Sequence, residues 1–249
     1  GGFGNQQMSF ASDIDLIFIV KNVNSYPSVQ SDFQKLLSMI RDNLKGLDID
    51  CRLRPEGKSS QLVWDAEEYK KYFLSRARIW ELQAFTKCRL LYGNEDIYKN
   101  FYSAYLDVIK SKNKALIKSE MTEMRKKLLP VSDNIFDIKK SKGGLYDIDF
   151  IFSYLHLTNQ MTTLSKSSDD SIRKENMLNE LRRNFSFLKL VEIFNQNIFN
   201  TKSSKIPVDE IKLKKLSISA GFKTKENFLN KLDEVIHSNK KHFQSTFNK

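Results

Sequence analysis

The run Ile14-Asp15-Leu16-Ile17-Phe18-Ile19-Val20 constrains the fold most. It is short, apolar and rich in β-branched and aromatic residues, so it predicts a buried strand. Residues 48–54, DIDCRLR, alternate strictly and predict a half-buried strand; residues 61–64, QLVW, predict a third. Between the first two, Pro27 opens a helical pattern carrying Phe33, Leu36, Leu37, Ile40 and Leu44, and Gly46 ends it. Pro55-Glu56-Gly57 reads as a turn. From residue 65 onward the pattern is almost wholly helical, over about 65–77, 79–92, 95–111, 114–129, 145–159, 171–183, 187–199, 208–219 and 224–247. Residues 130–144, 165–171 and 200–206 read as connections. The expected class is α+β, with a small mixed-sheet domain over 1–130 followed by an all-helical bundle over 131–249.

Composition excludes several alternatives. A chain of 249 residues with 40% hydrophobic content can bury a core. No apolar run nears the roughly 18 residues that span a bilayer, so a membrane protein is not expected. Cys51 and Cys88 cannot build a disulfide framework and read as small buried apolar residues. Three scattered histidines do not make a Cys/His zinc cluster, and His156 lies in an apolar helix as a packing residue. The net charge of +11 invites a nucleic-acid partner, but the 31 Lys and 10 Arg are spread along the chain without a basic block. A general lysine bias explains them as well. The chain opens on Gly1-Gly2-Phe3-Gly4, with neither a secretory leader nor an initiator Met, and reads as a fragment of a longer protein.

The chemistry gathers in the first 60 residues. In Ser12-Asp13-Ile14-Asp15 two carboxylates at spacing two share a strand face. Such a pair repels itself and calls for a cation, and hard divalent ions take oxygen ligands of this kind. An isolated Asp-x-Asp is ordinarily a solvated strand end. The second strand, however, places Asp48, Asp50, Arg52 and Arg54 on one face and Ile49, Cys51 and Leu53 on the other. If the two strands are neighbours, Asp50 becomes a third metal-side carboxylate, and the arginines offer planar forks to phosphate. That combination describes two-metal phosphoryl or nucleotidyl transfer, against an amphipathic edge strand with cross-strand ion pairs. Upstream, three glycines in Gly1–Asn5 let backbone N–H groups approach phosphates.

These residues carry a resemblance. GGFGNQQMSFASDIDLIF is similar to the signature of the bacterial glutamine synthetase adenylyltransferases. DCRLRPEGKSSQLV at 50–63, WELQAFTKCRLLYGN at 80–94 and FDIKKSKGGLYDIDFIFSYLHL at 136–157 resemble the same family in the same order. The last block looks more like the family's C-terminal, adenylylating half than its adenylyl-removing half. The resemblance implies a polymerase-β-type nucleotidyltransferase domain followed by a helical domain, in the bacterial cytoplasm. It implies ATP as substrate with Mg²⁺ or Mn²⁺, and transfer of AMP to a tyrosine of glutamine synthetase under control of PII signal proteins. Asp13, Asp15 and Asp50 fall on its metal-binding and catalytic carboxylates, and Gly4, Asn5, Ser12, Arg52 and Arg54 on its nucleotide side. Lys139 is expected as a further phosphate contact, and the resemblance implies that Asp147 and Asp149 are interdomain or nucleotide-side residues. Adenylyl removal by phosphorolysis and docking on glutamine synthetase or a PII protein without chemistry are the alternatives. A nucleotidyltransferase acting on nucleic acid ranks last.

The opening turn departs from the family. Where members read Gly-Lys-Leu-Gly-Gly-Arg-Glu, this chain has Gly1-Gly2-Phe3-Gly4-Asn5-Gln6-Gln7, losing a Lys and an Arg. Asn5 tolerates a left-handed backbone, which lets the turn survive. Further along, Trp80, Gln83, Ala84 and Lys87 share a helix face that either packs or reaches the nucleotide. Asp147 in the first turn of its helix also suits the helix dipole without any further role. Residues 223–249 read as an amphipathic helix with a solvated basic face.

Overall fold

A computed structural model describes residues 2–9, 11–132, 134–159 and 169–248. They form two compact units, Gly1–Asn113 and Lys114–Lys249. The sequence boundary at 130 assigned the helix after residue 113 to the first domain. Here that helix belongs to the second unit, through buried contacts described below.

The first unit begins with strands β1 (Ile14–Asp15) and β2 (Phe18–Val20), helix α1 (Val29–Asn43), and strands β3 (Ile49–Asp50) and β4 (Val63–Asp65). β1 pairs parallel with β3, and β2 pairs parallel with β4. Parallel pairing needs a crossover, and α1 supplies it between β1 and β3. The expected single strand over 14–20 is therefore divided: its two ends pair with different partners, and Leu16 and Ile17 link them. Val23, Leu37, Cys51, Leu62 and Val63 are buried together beneath the strands, with Phe18, Phe33 and Ile49 packed against them. The Phe18 and Phe33 rings meet edge to face at 5.3 Å.

Three helices complete this unit: α2 (Ala66–Ser75), α3 (Ile79–Phe85) and α4 (Glu95–Ser111). Their starts are chemically marked. Asp65 accepts from the Glu67 N–H, and Asn94 accepts from those of Asp96 and Ile97. Between the helices Tyr69, Phe73, Phe85, Phe101 and Tyr105 form an aromatic core, with Phe73 and Phe85 centred 5.0 Å apart. Helix α3 is shorter than the expected 79–92. After Phe85 the backbone bonds tighten to three-residue spacing, with Cys88 N–H on the Phe85 carbonyl at 3.0 Å, and the chain leaves the helix. Lys87 therefore does not continue the face of Trp80 and Gln83. Trp80 is 45% exposed, whereas Glu81 is buried. Glu81 accepts from the Arg78 N–H and the Tyr72 hydroxyl, so it closes the start of α3.

The second unit is helical: α5 (Lys114–Lys127), α6 (Leu145–Leu157), α7 (Asp169–Phe199), α8 (Glu210–Ser219) and α9 (Lys225–Phe247). α5 joins α6 through a buried ion pair: Arg125 Nε donates to Asp147 Oδ1 at 2.6 Å, with both side chains almost fully enclosed. The expected helices 171–183 and 187–199 are one continuous α7, so the expected connection ends before residue 169; its residues 165–168 lie outside the described residues. Asn184 does not break the helix, because its side chain faces inward and donates to Asn239 Oδ1 on α9 at 2.9 Å. The connection 130–144 is not wholly irregular. Ile138 N–H bonds Ser204 O at 2.8 Å, and Ile206 N–H bonds Phe136 O at 2.9 Å. α9 buries Phe228, Leu232, Val235 and Phe247, as its amphipathic pattern predicts.

Candidate active site

The strand register brings the carboxylates together. β1 and β3 pair Ile14 with Ile49 and Asp15 with Asp50. Ile14 N–H donates to Asp48 O and Leu16 N–H to Asp50 O, both at 2.8 Å, so the alignment is held from both sides. Ile14 is buried, which turns Asp13 and Asp15 outward to solvent.

Arg52 closes on this group. Its Nε donates to Asp50 Oδ2 at 2.6 Å, its backbone N–H to Asp50 Oδ1 at 2.8 Å, and its Nη2 also contacts Oδ2. The Arg52 side chain holds the Asp50 carboxyl below its ordinary value against partial burial, which raises it. In return Asp50 stabilises the guanidinium, and Asp13 and Asp15 add to the effect. Arg52 thus pairs with Asp50 and lies in the field of the other two carboxylates. Their hard oxygen donors fit a divalent cation, although no group of three or more carboxylate, His or Cys ligands converges on one point among the described residues.

Arg54 behaves differently. Its Nη donors go to the carbonyls of Cys51, Lys58 and Ser60, the last at 3.3 Å. It therefore shapes the loop after β3 and does not present its fork outward. That loop turns through Glu56 and Gly57, both with positive φ, as Pro55-Glu56-Gly57 predicts. Ser12 is also engaged locally, its hydroxyl accepting from the Ser9 N–H at 2.8 Å.

The glycine turn is closed by Gln7 N–H on Gly2 O at 2.8 Å and Gln6 N–H on Phe3 O at 3.2 Å. The left-handed residue is Gln6, with φ 55°, and not the expected Asn5. Asn5 instead donates through its side chain to Gln7 Oε1 at 2.8 Å. Among the described residues no hydrogen bond takes up the N–H groups of Gly4 and Asn5. Gly4 and Asp15 line one mainly apolar cavity of about 580 Å³, with Phe33, Leu53, Phe85 and Arg89 among its other walls.

Comparison with known proteins finds relatives over both units. Residues 1–104 match the family model described as glutamate-ammonia ligase adenylyltransferase, and residues 115–247 match GlnD PII-uridylyltransferase. Together they span both units. The chain is 32% identical over 174 residues to the bifunctional glutamine synthetase adenylyltransferase/adenylyl-removing enzyme of Nitrosomonas europaea, covering 63% of this chain and 18% of that one. It is 32% identical over 183 residues to the enzyme of the same name from Shewanella loihica, covering 64% and 19%. The Chromobacterium violaceum enzyme of that name is 32% identical over 171 residues, covering 65% and 19%. Over most of its length this chain is therefore similar to the glutamine synthetase adenylyltransferases. It spans about a fifth of the length of these relatives. Its second unit carries the helical domain that the PII-uridylyltransferase model also describes.

The remaining candidates lie in the second unit. Lys139 Nζ pairs with Glu192 at 2.8 Å, and Lys189 pairs with the same fully buried carboxylate. Asp147 holds Arg125 and accepts the Gly143 N–H at 2.6 Å, which accounts for it as a structural residue of α6. Burial raises its carboxyl above the ordinary value, while Arg125 and the Gly143 N–H oppose this. Asp149 is half-buried on the same helix. The sequence reading missed Arg89, whose signal was an Arg within the 80–94 block, and missed the cavity, whose walls come from five distant segments.

Proposed function

We propose that the chain is an adenylylating module that moves AMP from ATP to a tyrosine hydroxyl of glutamine synthetase, with a polymerase-β-type first domain. The observation that carries this reading is the register that sets Asp15 beside Asp50, with Asp13 on the same face and Arg52 on Asp50. The phenolic oxygen bonds to the α-phosphorus as the bond to the bridging oxygen breaks in line, and pyrophosphate leaves with that electron pair. Asp50, beside the reacting centre in this reading, takes the phenolic proton. Arg52 and the N–H groups of Gly4 and Asn5 meet the phosphate charge, and Arg54 positions the loop that presents Arg52. Mg²⁺ or Mn²⁺ on Asp13, Asp15 and Asp50 would neutralise phosphate oxygens. Ser12 holds the approach to Asp13 through its hydrogen bond with Ser9. Glutamine synthetase is the protein substrate and a PII protein the regulator, in the bacterial cytoplasm.

The test is transfer of label from [α-³²P]ATP, with Mg²⁺, to purified glutamine synthetase. We expect labelled synthetase, and loss of labelling in Asp13→Asn and Asp15→Asn proteins whose circular dichroism is unchanged. Retained transfer in either variant overturns the assignment of those carboxylates. A folded protein that instead releases AMP from adenylylated synthetase with phosphate performs the reverse chemistry. No nucleotide binding at all leaves only docking, and RNA binding that falls steeply with salt overturns the substrate.

A further inference from the structure

Arg89 lies four residues beyond the end of α3, within the 80–94 block but given no role above. Its guanidinium carbon sits 5.1 Å from the centre of the Phe3 ring, within cation–π range. Its Nη2 also donates to the Phe3 carbonyl at 3.4 Å. That carbonyl is the one that accepts the Gln6 N–H inside the glycine turn. A single side chain thus holds both the ring and the backbone of one turn residue, from 86 positions away in sequence.

The turn needs such a hold. Residues Gly2–Gln7 carry no charged side chain, and Asn5 and Gln6 are exposed. Among the described residues its own hydrogen bonds run from one turn residue to another. Backbone N–H groups offer a phosphate a fixed field only if the backbone is fixed beforehand. Arg89 lines the cavity shared by Gly4 and Asp15, so it anchors the turn on the carboxylate side.

We propose that Arg89, acting through Phe3, is a positioning residue that fixes the glycine turn for the triphosphate of ATP. The inference rests on the nucleotidyltransferase reading above. Arg89 acts through the turn and carries out no chemistry, so its loss weakens nucleotide capture more than turnover.

The experiment measures KM for MgATP and kcat in AMP transfer, with amide hydrogen exchange over residues 2–7 in the absence of nucleotide. Arg89→Gln should raise KM about five- to tenfold while kcat stays within about twofold. Arg89→Lys should recover part of the loss, because an ammonium also sits over an aromatic face. Phe3→Leu should move KM the same way, and the double variant should be no worse than Arg89→Gln alone. Exchange over 2–7 should quicken in Arg89→Gln while the α4 amides keep their protection. Unchanged KM and exchange in Arg89→Gln, a fall in kcat alone, or additive effects in the double variant overturns the inference and leaves the proposed function standing. A wild-type chain that neither binds MgATP nor transfers AMP overturns the nucleotidyltransferase reading and this inference with it.

Discussion

Asp50 shows what a single residue can and cannot declare. Period-two alternation placed it on one face with Arg52, and both the register with Asp15 and the contact with Arg52 agree with that placement. Its lowered carboxyl makes a pH prediction. A depressed folded-state value contributes stability above the ordinary value of 3.8 and loses it as pH falls through the lower folded value. Unfolding midpoints followed from about pH 5 to pH 2 should therefore fall less steeply in Asp50→Asn than in the wild type. Arg54 and Lys139 carry the opposite lesson. Both are the right residue type for phosphate, but Arg54 turns to three loop carbonyls and Lys139 to the buried Glu192. Which partner a long cation meets depends on what folding brings near it, and alternation along a strand does not contain that.

At the scale of elements, α6 and its approach make the sharpest predictions. Arg125 and Asp147 are each 3% exposed, so removing one partner leaves a buried charge. Asp147→Ala should destabilise the second unit by about 3–5 kcal/mol in chemical denaturation. Arg125→Met with Asp147→Leu should recover much of that loss, because an apolar pair of similar size carries no desolvation cost. Gly143 has φ +82°, and a Cβ there would lie 2.5 Å from the Ile236 carbonyl oxygen of α9. Gly143→Ala should lower stability by about 1–3 kcal/mol or more, readable as a fall in the unfolding midpoint. The sequence pattern placed these glycines before a helix but did not reveal the close approach of α9. Likewise α7 runs unbroken through Asn184, because Asn239 satisfies the side chain from another helix.

For the whole molecule, the division at 113 and 114 is the main outcome. The two family models, matching 1–104 and 115–247, separate at the same place. Each unit has its own core, aromatic around Phe73 in the first and aliphatic around Ile148, Leu181 and Val191 in the second. Residues 114–249 alone should therefore keep a helical circular dichroism spectrum and unfold cooperatively. A disordered spectrum would show that the second core depends on the first. The basic excess is also unequal: residues 114–249 hold 25 Lys and Arg against 16 Asp and Glu, and residues 1–113 hold 16 against 14. The overall charge of +11 is thus mainly a property of the helical unit.

The sequence alone determined the α+β class, most helix positions, and the shared face of Asp13 and Asp15; the expected strand 48–54 is only Ile49–Asp50, so Arg52 and Arg54 lie beyond it. The class, the helices and that shared face follow from periodicity and from caps such as Asp65, Asn94 and Thr224, which act within a few residues of themselves. Only the tertiary structure decided that Asp15 lies opposite Asp50, that α5 belongs with α6, that Glu81 and not Trp80 is buried, and that Arg89 grips Phe3. All but the burial of Glu81, which meets Tyr72 and Arg78, are contacts between distant segments. Their partners are chosen by how apolar faces are buried and buried charges paired, which depends on chain topology and not on local pattern.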